Sequence, residues 1–236
     1  LSHLRDLMYT GSVLSEDGFK YVQAYIKEGL SISGICGGTD FVGCYAMGNP
    51  FAATVAGQLK GPVLGMDVDI WDDAGQSMPI GEVGELVIKG PFASRPLYFW
   101  DDADGERYRA AYFERFPNTW CQGDFVSRTK GDGWVIYGRS DATLNPGGVR
   151  IGTAEIYRQV EQFDEVVEGI VIGQEWDNDT RVILFVIMRD GITLDDDLID
   201  RIRKRVRQNC TPRHVPSKVI QVSDIPRTKS GKITEL

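Results

Sequence analysis

The chain has 236 residues, of which 42% are hydrophobic and 25% charged, the composition of an ordinary globular protein with a sizeable core. The net charge of −8 argues against a dedicated nucleic-acid-binding protein, and two histidines, His3 and His214, are too few to favour a histidine-based metal site. The four cysteines lack C-x-x-C spacing, and neither a signal peptide nor a long apolar run is visible. We therefore expect reduced thiols, a cytoplasmic location and no membrane span.

The first part of the chain predicts one helix followed by strands. Residues 16–28 predict an amphipathic helix, whose core-facing residues are Phe19, Val22, Tyr25 and Ile26. A glycine-rich stretch follows, and alternating apolar residues then predict strands near 66–70, 81–90 and 133–138. The sequence enters inside an apolar pattern without a starting methionine and stops directly after a motif, which predicts a segment of a longer protein.

The second part predicts a small α+β unit, because helix, strand, strand, helix and strand follow one another from about residue 145. Thr153 and Thr193 are the expected N-caps of the two helices, and the basic run RIRKRVR at 201–207 is the expected solvated face of the second. The helices present apolar stripes formed by Ile156, Val160 and Phe163 and by Leu198, Ile202 and Val206. We place the boundary near Asp141, giving a β-rich domain at 1–140 and a small domain at 141–236.

Two glycine-containing motifs in the first part carry chemistry. GGTDF at 37–41 combines close backbone approach with a hydroxyl on Thr39 and a hard oxygen ligand on Asp40, which suits a phosphate and its Mg²⁺. A plain turn can have the same residues. CQGDF at 121–125 places Asp124 after a glycine, where its carboxylate could accept two ribose hydroxyls. A solvated acid in a loop is the alternative there.

Two further motifs lie in the second part. GRSDATLNPGGVRIGTAE carries Arg139 and Arg150 on either side of a Pro-Gly-Gly turn that can bring backbone to a ligand, although either arginine could instead form a structural salt bridge. PRTKSGK places Lys232 in a loop from which it can enter a site or remain on the surface like Lys229. A Walker-type phosphate loop is excluded, because neither Ser nor Thr directly follows Lys232 and the glycine spacing is missing.

The order of the motifs resembles the adenylate-forming superfamily of acyl-CoA synthetases, luciferases and peptide-synthetase adenylation domains. The resemblance rests on GGTD, GD, GRSD, GGVRIGTAEI and PRTKSGK and runs across nearly the whole chain. The NPGGVRIGTAEIY block is most similar to the acetoacetyl-CoA synthetases, with the acetyl-CoA synthetases next. The implied fold class is α/β and α+β: the β-rich C-terminal part of a large AMP-binding domain, followed by a small α+β lid domain.

The resemblance implies a nucleotide-binding set that consists of Gly11, Ser12, Gly38, Thr39, Asp124, Arg139 and Arg150. Within this set, Thr39 would contact the α-phosphate of ATP and also serve catalysis, Asp124 and Arg139 would bind the ribose, and Arg150 would meet phosphate. Asp40 would help to hold Mg²⁺, although most relatives have glutamate at that position. Gly11 and Ser12 resemble part of the loop beside the adenine.

The resemblance also implies roles in catalysis and in CoA binding. Lys232 matches the catalytic lysine, whose ammonium would neutralise charge that grows on the α-phosphorus as a carboxylate attacks ATP. Asp141 matches the hinge about which the small domain rotates between half-reactions. Gly148 matches the glycine that lines the pantetheine tunnel, and Arg207 matches an arginine that binds the CoA phosphate.

Cys36 and Gly37 stand where acetyl-CoA synthetases have an aromatic pair, which predicts an acyl pocket open enough for acetoacetate. The alternative is that Gly37 only relaxes its loop. The expected reaction is ATP-dependent ligation of acetoacetate to CoA, with Mg²⁺, and without nucleic-acid partners. The competing possibilities are another short-chain acyl-CoA synthetase and a nucleotide-binding module without chemistry. The family's Ser/Thr/Gly-rich phosphate loop is missing from the sequence, so we expect this chain alone to be inactive.

Overall fold

The computed structural model describes residues 1–11, 14–229 and 231–235. The chain divides into two compact units, Leu1–Ile136 and Tyr137–Leu236. The strands are β1 (Asp6–Tyr9), β2 (Ser31–Gly34), β3 (Cys36–Gly38), β4 (Gly43–Ala46), β5 (Val68–Trp71), β6 (Val83–Ile88), β7 (Trp120–Arg128), β8 (Trp134–Arg139), β9 (Val166–Trp176), β10 (Asp179–Met188) and β11 (Lys218–Gln221). The α-helices are α1 (Glu16–Tyr21), α2 (Glu106–Tyr112), α3 (Thr153–Val160) and α4 (Asp196–Asn209).

The first unit is rich in strands, as the sequence predicts. β1 and β2 pair in parallel, β3 and β4 form an antiparallel hairpin, and β5, β6, β7 and β8 form a four-stranded sheet in that order. Its main core is strongly aromatic, because Phe41, Tyr45, Trp120 and Trp134 are all buried in it. These rings bind the β3–β4 hairpin to β7, which fixes the position of the GGTD and CQGD motifs.

The predicted first helix forms, but part of its face was assigned wrongly. Phe19 and Val22 are buried as predicted, whereas Tyr25 is 76% exposed. The reason is a π-helical turn at Val22–Ile26, whose i→i+5 hydrogen bonding changes the angular spacing of the side chains. Tyr25 is thereby turned to the surface, where its ring packs on Tyr21 with centroids 5.0 Å apart.

The second unit has the predicted order of helix, two strands, helix and strand. β9 pairs with β10 in antiparallel fashion and β11 joins β10 in parallel, which gives the order β11-β10-β9. α3 packs against β9 and α4. All six residues of the two predicted apolar stripes are buried in one core: Ile156, Val160, Phe163, Leu198, Ile202 and Val206. The apolar spacing therefore identified the buried faces of both helices correctly.

Both predicted N-caps are wrong by one or two residues. α3 has Gly152 as its N-cap and buries Thr153 as its first helical residue, while the Gly152 N–H donates to the Glu155 carboxylate at 3.1 Å. α4 begins after Asp195, whose Oδ1 accepts the Leu198 N–H at 2.9 Å. An aspartate caps as well as a threonine does, so composition alone could not separate the candidates in this acidic stretch.

The division between the units falls inside β8, at Ile136 and Tyr137. The sequence places the domain boundary slightly later, near Asp141, and that position stays a prediction. Within the described ranges, no helix is at once long and apolar enough to cross a membrane.

Candidate functional site

The GGTD motif forms the end of the β3–β4 hairpin and the turn between its strands. A Cβ on Gly38 would lie 2.7 Å from Cε1 of the buried Phe41 ring, so a side chain there would displace that ring from the core. Thr39 and Asp40 are both exposed. The Asp40 carboxylate accepts a hydrogen bond from the Tyr112 hydroxyl at 2.6 Å and one from Gln122 Nε2 at 3.1 Å. Asp40 is thus held by an α2 residue and a β7 residue.

The CQGD motif lies on β7, whose Trp120 packs against Phe41 of that hairpin. Asp124 is buried, and its Oδ2 accepts a hydrogen bond from the hydroxyl of Tyr45 on β4. Burial, together with the adjacent Asp124 carboxylate, holds the pKa of Tyr45 well above its ordinary value, so Tyr45 remains a neutral donor at physiological pH. The structure therefore brings the two motifs of the first unit together through two contacts, Tyr45 to Asp124 and Gln122 to Asp40.

Three residues of this cluster were not predicted from the sequence: Tyr45, Tyr112 and Gln122. Gln122 lies inside the quoted CQGDF motif, so its position was a usable signal. Tyr45 is 79 positions from Asp124 and Tyr112 is 72 positions from Asp40, so only the fold places their hydroxyls on the carboxylates. The Tyr112 ring stacks on Trp120 with centroids 3.8 Å apart and an interplanar angle of 13°, which orients its hydroxyl toward Asp40.

Gly37 is explained by strand pairing. A Cβ at this position would lie 2.1 Å from the Gly43 carbonyl oxygen and 2.5 Å from Cys44 Cα, both main-chain atoms of β4. Cys36 is half-buried, and its Sγ lies 3.5 Å from the Tyr45 hydroxyl. The absence of a large side chain at position 37 thus has a local cause in the hairpin. The prediction of an open acyl pocket at Cys36 and Gly37 remains untested.

Arg139 and Asp141, the predicted ribose ligand and hinge, form an ion pair with each other. Arg139 Nε lies 3.0 Å from Asp141 Oδ1, and Nη2 lies 2.7 Å from Oδ2. The salt-bridge alternative for Arg139 is therefore present in this structure. Because both side chains are close to half exposed, the pair contributes only about 0–1 kcal/mol to stability, and a ligand could compete for the guanidinium at small cost.

The Pro-Gly-Gly turn is a short 3₁₀ segment at Pro146–Gly148. Gly147 and Gly148 both have left-handed backbones, with φ of +58° and +75°. Among the described residues other than its two chain neighbours, none has an atom within 4 Å of a Cβ built on Gly148, so its face is open there. Arg150, beyond the turn, is exposed, and so is Arg207 in the last turn of α4. Openness at Gly148 is compatible with the predicted CoA role and does not test it.

Lys232 lies on an exposed turn that is held by hydrogen bonds between the residues before it and the residues after it. An antiparallel bridge joins Arg227 to Ile233, and the Thr228 N–H donates to the Lys232 carbonyl at 2.8 Å. The Lys232 N–H in turn donates to Thr228 Oγ1 at 3.2 Å. Arg227 also donates to the Gly231 carbonyl at 3.1 Å. Hydrogen bonds thus hold the main chain of Lys232, while the residue itself is exposed to solvent.

The remaining predicted residues are Gly11 and Ser12. Gly11 has φ of +94° and follows Thr10, whose hydroxyl donates to the Ile35 carbonyl at 3.0 Å, so this loop is tied to the residue that precedes β3. Ser12 lies outside the described residues. In the described part of the chain, no group of three or more His, Cys, Asp or Glu side chains is arranged to hold a metal ion.

Comparison with known proteins relates this geometry to a family. Residues 158–232 match the family model described as the AMP-binding enzyme C-terminal domain. This stretch is similar to the C-terminal domains of AMP-binding enzymes. The resemblance to adenylate-forming enzymes is confirmed, as is the mixed α/β and α+β fold class.

The similarity extends over the whole chain. The acetoacetyl-coenzyme A synthetase of Rhizobium meliloti (strain 1021) is 55% identical over 236 residues, which are 100% of this chain and 36% of that protein. The acetoacetyl-CoA synthetase of Mus musculus is 40% identical over 100% of this chain and 35% of its own length. The chain therefore spans about a third of the length of the curated relatives it matches.

Solved structures agree with these relatives. The acetoacetyl-CoA synthetase from Streptomyces lividans superposes with a TM-score of 0.90 at 42% identity, over 100% of this chain and 36% of that one. A benzoate CoA ligase from Burkholderia xenovorans LB400 gives a TM-score of 0.80 at 25% identity, over 97% of this chain and 44% of that one. The stretch 158–232, which matches the AMP-binding enzyme C-terminal domain, contains Lys232 and Arg207, whose roles stay predictions.

Proposed function

We propose that this chain works as part of an ATP-dependent acetoacetate–CoA ligase. The observation that carries the proposal is the 55% identity, over the whole chain, to an acetoacetyl-coenzyme A synthetase. In the first step, a carboxylate oxygen of acetoacetate attacks the α-phosphorus of ATP, and pyrophosphate leaves with the electrons of the broken P–O bond. In the second step, the CoA thiolate attacks the acyl carbon and AMP leaves, which gives acetoacetyl-CoA.

In the first step, Lys232 supplies positive charge between the attacking carboxylate and the α-phosphate. Its ammonium is a compact point charge on a flexible stem, so it can follow charge as it moves from carboxylate to phosphorus. The braced backbone of its turn supports this role, because the side chain starts from a fixed point. Thr39 donates a hydrogen bond from its hydroxyl to the α-phosphate, and Asp124 and Arg139 are the proposed ligands of the ribose hydroxyls.

Mg²⁺ belongs to the proposal through Asp40. A magnesium ion bound with a nucleotide needs only one or two protein carboxylates, since phosphate oxygens and water complete its octahedral shell. The exposed Asp40 carboxylate, oriented by Tyr112 and Gln122, fits that requirement. When bound there, the ion would offset charge on the phosphates. The residues of this chain would hold the ion and orient the nucleotide around it.

In the second step, the small domain presents a different surface. Asp141 is the proposed pivot, and the open face of Gly148 would admit the pantetheine arm. Arg207 and Arg150, both exposed, would meet phosphate groups of CoA and of the nucleotide, respectively. Two chemistries are thus assigned to two turns of one unit, with Lys232 on one turn and Gly148 on the other. The cytoplasmic location expected from the reduced thiols completes this proposal.

A second candidate differs only in the acid. The steric reason for Gly37 removes part of the argument for a large acyl pocket, so acetate or another short-chain acid is the alternative substrate. The deciding experiment is acid-dependent exchange of pyrophosphate into ATP by the full-length protein that carries this sequence, with acetoacetate, acetate, propionate and butyrate. Exchange that is strongest with acetoacetate supports the proposal, whereas exchange that is strongest with acetate would indicate the reaction of an acetyl-CoA synthetase instead.

The same assay tests the lysine. Lys232→Ala should lower exchange by about 100-fold or more, the usual loss when a group that stabilises transition-state charge is removed. Lys229→Ala is the matched control, because it deletes an exposed lysine of the same turn, and it should leave exchange within about twofold of wild type. Equal losses in both variants would refute the specific role of Lys232. No exchange with any acid would indicate a nucleotide-binding module without chemistry.

A further inference from the structure

Two side chains from separate elements hold the Pro146–Gly148 turn by its main chain. Arg213 Nη1 donates to the carbonyl oxygens of Pro146 at 3.0 Å and Gly147 at 2.8 Å. From the other side, Asp179 Oδ1 accepts the Gly147 N–H at 2.7 Å. The Arg213 guanidinium therefore binds two carbonyl groups of this three-residue turn, and the Asp179 carboxylate binds one of its N–H groups. We call these contacts the Arg213–Asp179 clamp.

The residues that form the clamp are themselves held. Arg213 lies in the 3₁₀ turn Pro212–His214, where its N–H donates to Thr211 Oγ1 at 3.3 Å. His214, the next residue, is buried with its Nδ1 2.9 Å from Thr211 Oγ1 and its Nε2 3.2 Å from the Glu155 carboxylate. The guanidinium thus extends from a backbone that is anchored on α3.

Asp179 is fixed in a similar way. It opens β10, directly after the tight turn at Asp177 and Asn178, whose residues both have positive φ. Its Oδ1 accepts the Thr180 N–H at 2.7 Å as well as the Gly147 N–H. These two N–H groups lower the pKa of Asp179 and keep its carboxylate charged at neutral pH.

The clamp also explains why position 147 is a glycine. A Cβ on Gly147 would lie 2.0 Å from Arg213 Nη1, so a side chain there and the arginine contact exclude each other. Around the Cβ position of the neighbouring Gly148, the described part of the chain places no atom within 4 Å apart from the residues on either side of it. The arginine therefore covers one glycine of the turn and leaves the other open. A turn with two left-handed residues has no side-chain packing of its own to define it, so external contacts must set its shape.

We propose that Arg213 and Asp179 are positioning residues for thioester formation, acting by setting the conformation of the Pro146–Gly148 turn beside the CoA thiol's path. This inference rests on the proposed function, which places the pantetheine arm at Gly148. Lys232 lies on another turn with its own partners, Arg227 and Thr228. The clamp therefore acts on the second half-reaction and leaves adenylation unchanged.

The test separates the two half-reactions in the full-length protein that carries this sequence. Arg213→Ala and Asp179→Ala should raise KM for CoA by about tenfold and slow thioester formation, with ATP–pyrophosphate exchange within about twofold of wild type. Asp179→Asn keeps an oxygen acceptor and should therefore retain most of the CoA-dependent activity that Asp179→Ala loses. Arg203→Ala is the matched control, because Arg203 also donates to two carbonyls of the same unit, those of Pro216 and Ser217. It should not change KM for CoA.

A structural readout keeps the clamp testable apart from the activity. Hydrogen exchange of the peptide that covers 145–150 should be at least about threefold faster in Arg213→Ala than in Arg203→Ala. If wild type shows no acetoacetate-dependent exchange of pyrophosphate, the proposed function fails while this readout still judges the clamp. Unchanged hydrogen exchange in Arg213→Ala, or equal loss in both half-reactions, would overturn the inference.

A double-mutant cycle tests the steric coupling of Gly147 and Arg213. Gly147→Ala strains a left-handed residue in any background, but it should harm CoA-dependent turnover less when Arg213 is already alanine. The combined loss should fall short of the product of the single losses by about fivefold or more. Strictly multiplicative losses would show that the two residues do not act on each other and would overturn the coupling.

Discussion

Gly37→Ala is the substitution that best separates the two explanations of the β3–β4 hairpin. The added methyl group would approach the Gly43 carbonyl oxygen at 2.1 Å, whereas real Cβ atoms do not come closer than 3.0 Å, so the strands must separate by about 0.9 Å there. The obstacle is main chain and cannot rotate away. Overpacking of this kind costs about 1–3 kcal/mol. For a chain of this size, that corresponds to a fall in Tm on the order of 5 °C.

The assay is thermal unfolding followed by tryptophan fluorescence. Trp120 packs against Phe41 at a centroid distance of 5.9 Å, so its fluorescence contributes a signal from the core beside the hairpin. Gly131→Ala is the control, because no described residue beyond its chain neighbours has an atom within 4 Å of a Cβ at that position. It should leave the Tm unchanged to within about 1 °C.

Acid preference supplies the second readout for Gly37→Ala. If strand pairing requires this glycine, the variant should lose pyrophosphate exchange with all acids in similar proportion, in step with its lower stability. The reasoning would be refuted by a variant that keeps its Tm and shifts its preference from acetoacetate to acetate. Such a result would assign Gly37 to the acyl pocket.

Two further predictions concern the second unit. Ile202 of α4 is fully buried, so Ile202→Ala should lower the free energy of unfolding in urea by about 2–5 kcal/mol. Substitution of the exposed Lys204 by alanine should change it by no more than about 0.5 kcal/mol, and similar values for both variants would contradict the assigned core. Glu155 is the pH-sensitive case: burial alone would raise its pKa, but hydrogen bonds from His214 and the Gly152 N–H outweigh burial and lower it. Stabilisation by Glu155 is then complete above its ordinary pKa of 4.5 and is lost as the pH falls through the lower folded value. Urea unfolding between pH 6 and about 3 should therefore show a weaker loss of stability on acidification in Glu155→Gln than in wild type; identical pH dependence would show that Glu155 does not contribute.

The predictability of the second unit follows from its local patterns. Apolar spacing in α3 and α4 identified residues such as Ile156 and Ile202 as core, because a helix must turn its apolar stripe away from water. The caps were less predictable, since Asp195 and Thr193 are equally suited to the role and only the hydrogen bond to Leu198 distinguishes them. The prediction of the buried face of the first helix was wrong at Tyr25, because a π-helical turn has no periodic signature in so short a segment.

For the candidate site, the sequence by itself determined which residue types were available and in what order. GGTD, CQGD and PRTKSGK were visible as motifs, and their order was enough to indicate an adenylate-forming enzyme. The tertiary structure decided which groups meet: the Tyr45 hydroxyl on Asp124, Tyr112 on Asp40, and the Arg213–Asp179 clamp on the turn at Gly147. Each of these contacts joins residues more than 30 positions apart. Such pairs depend on how strands and turns are brought together by burial of the core, which local propensity does not encode.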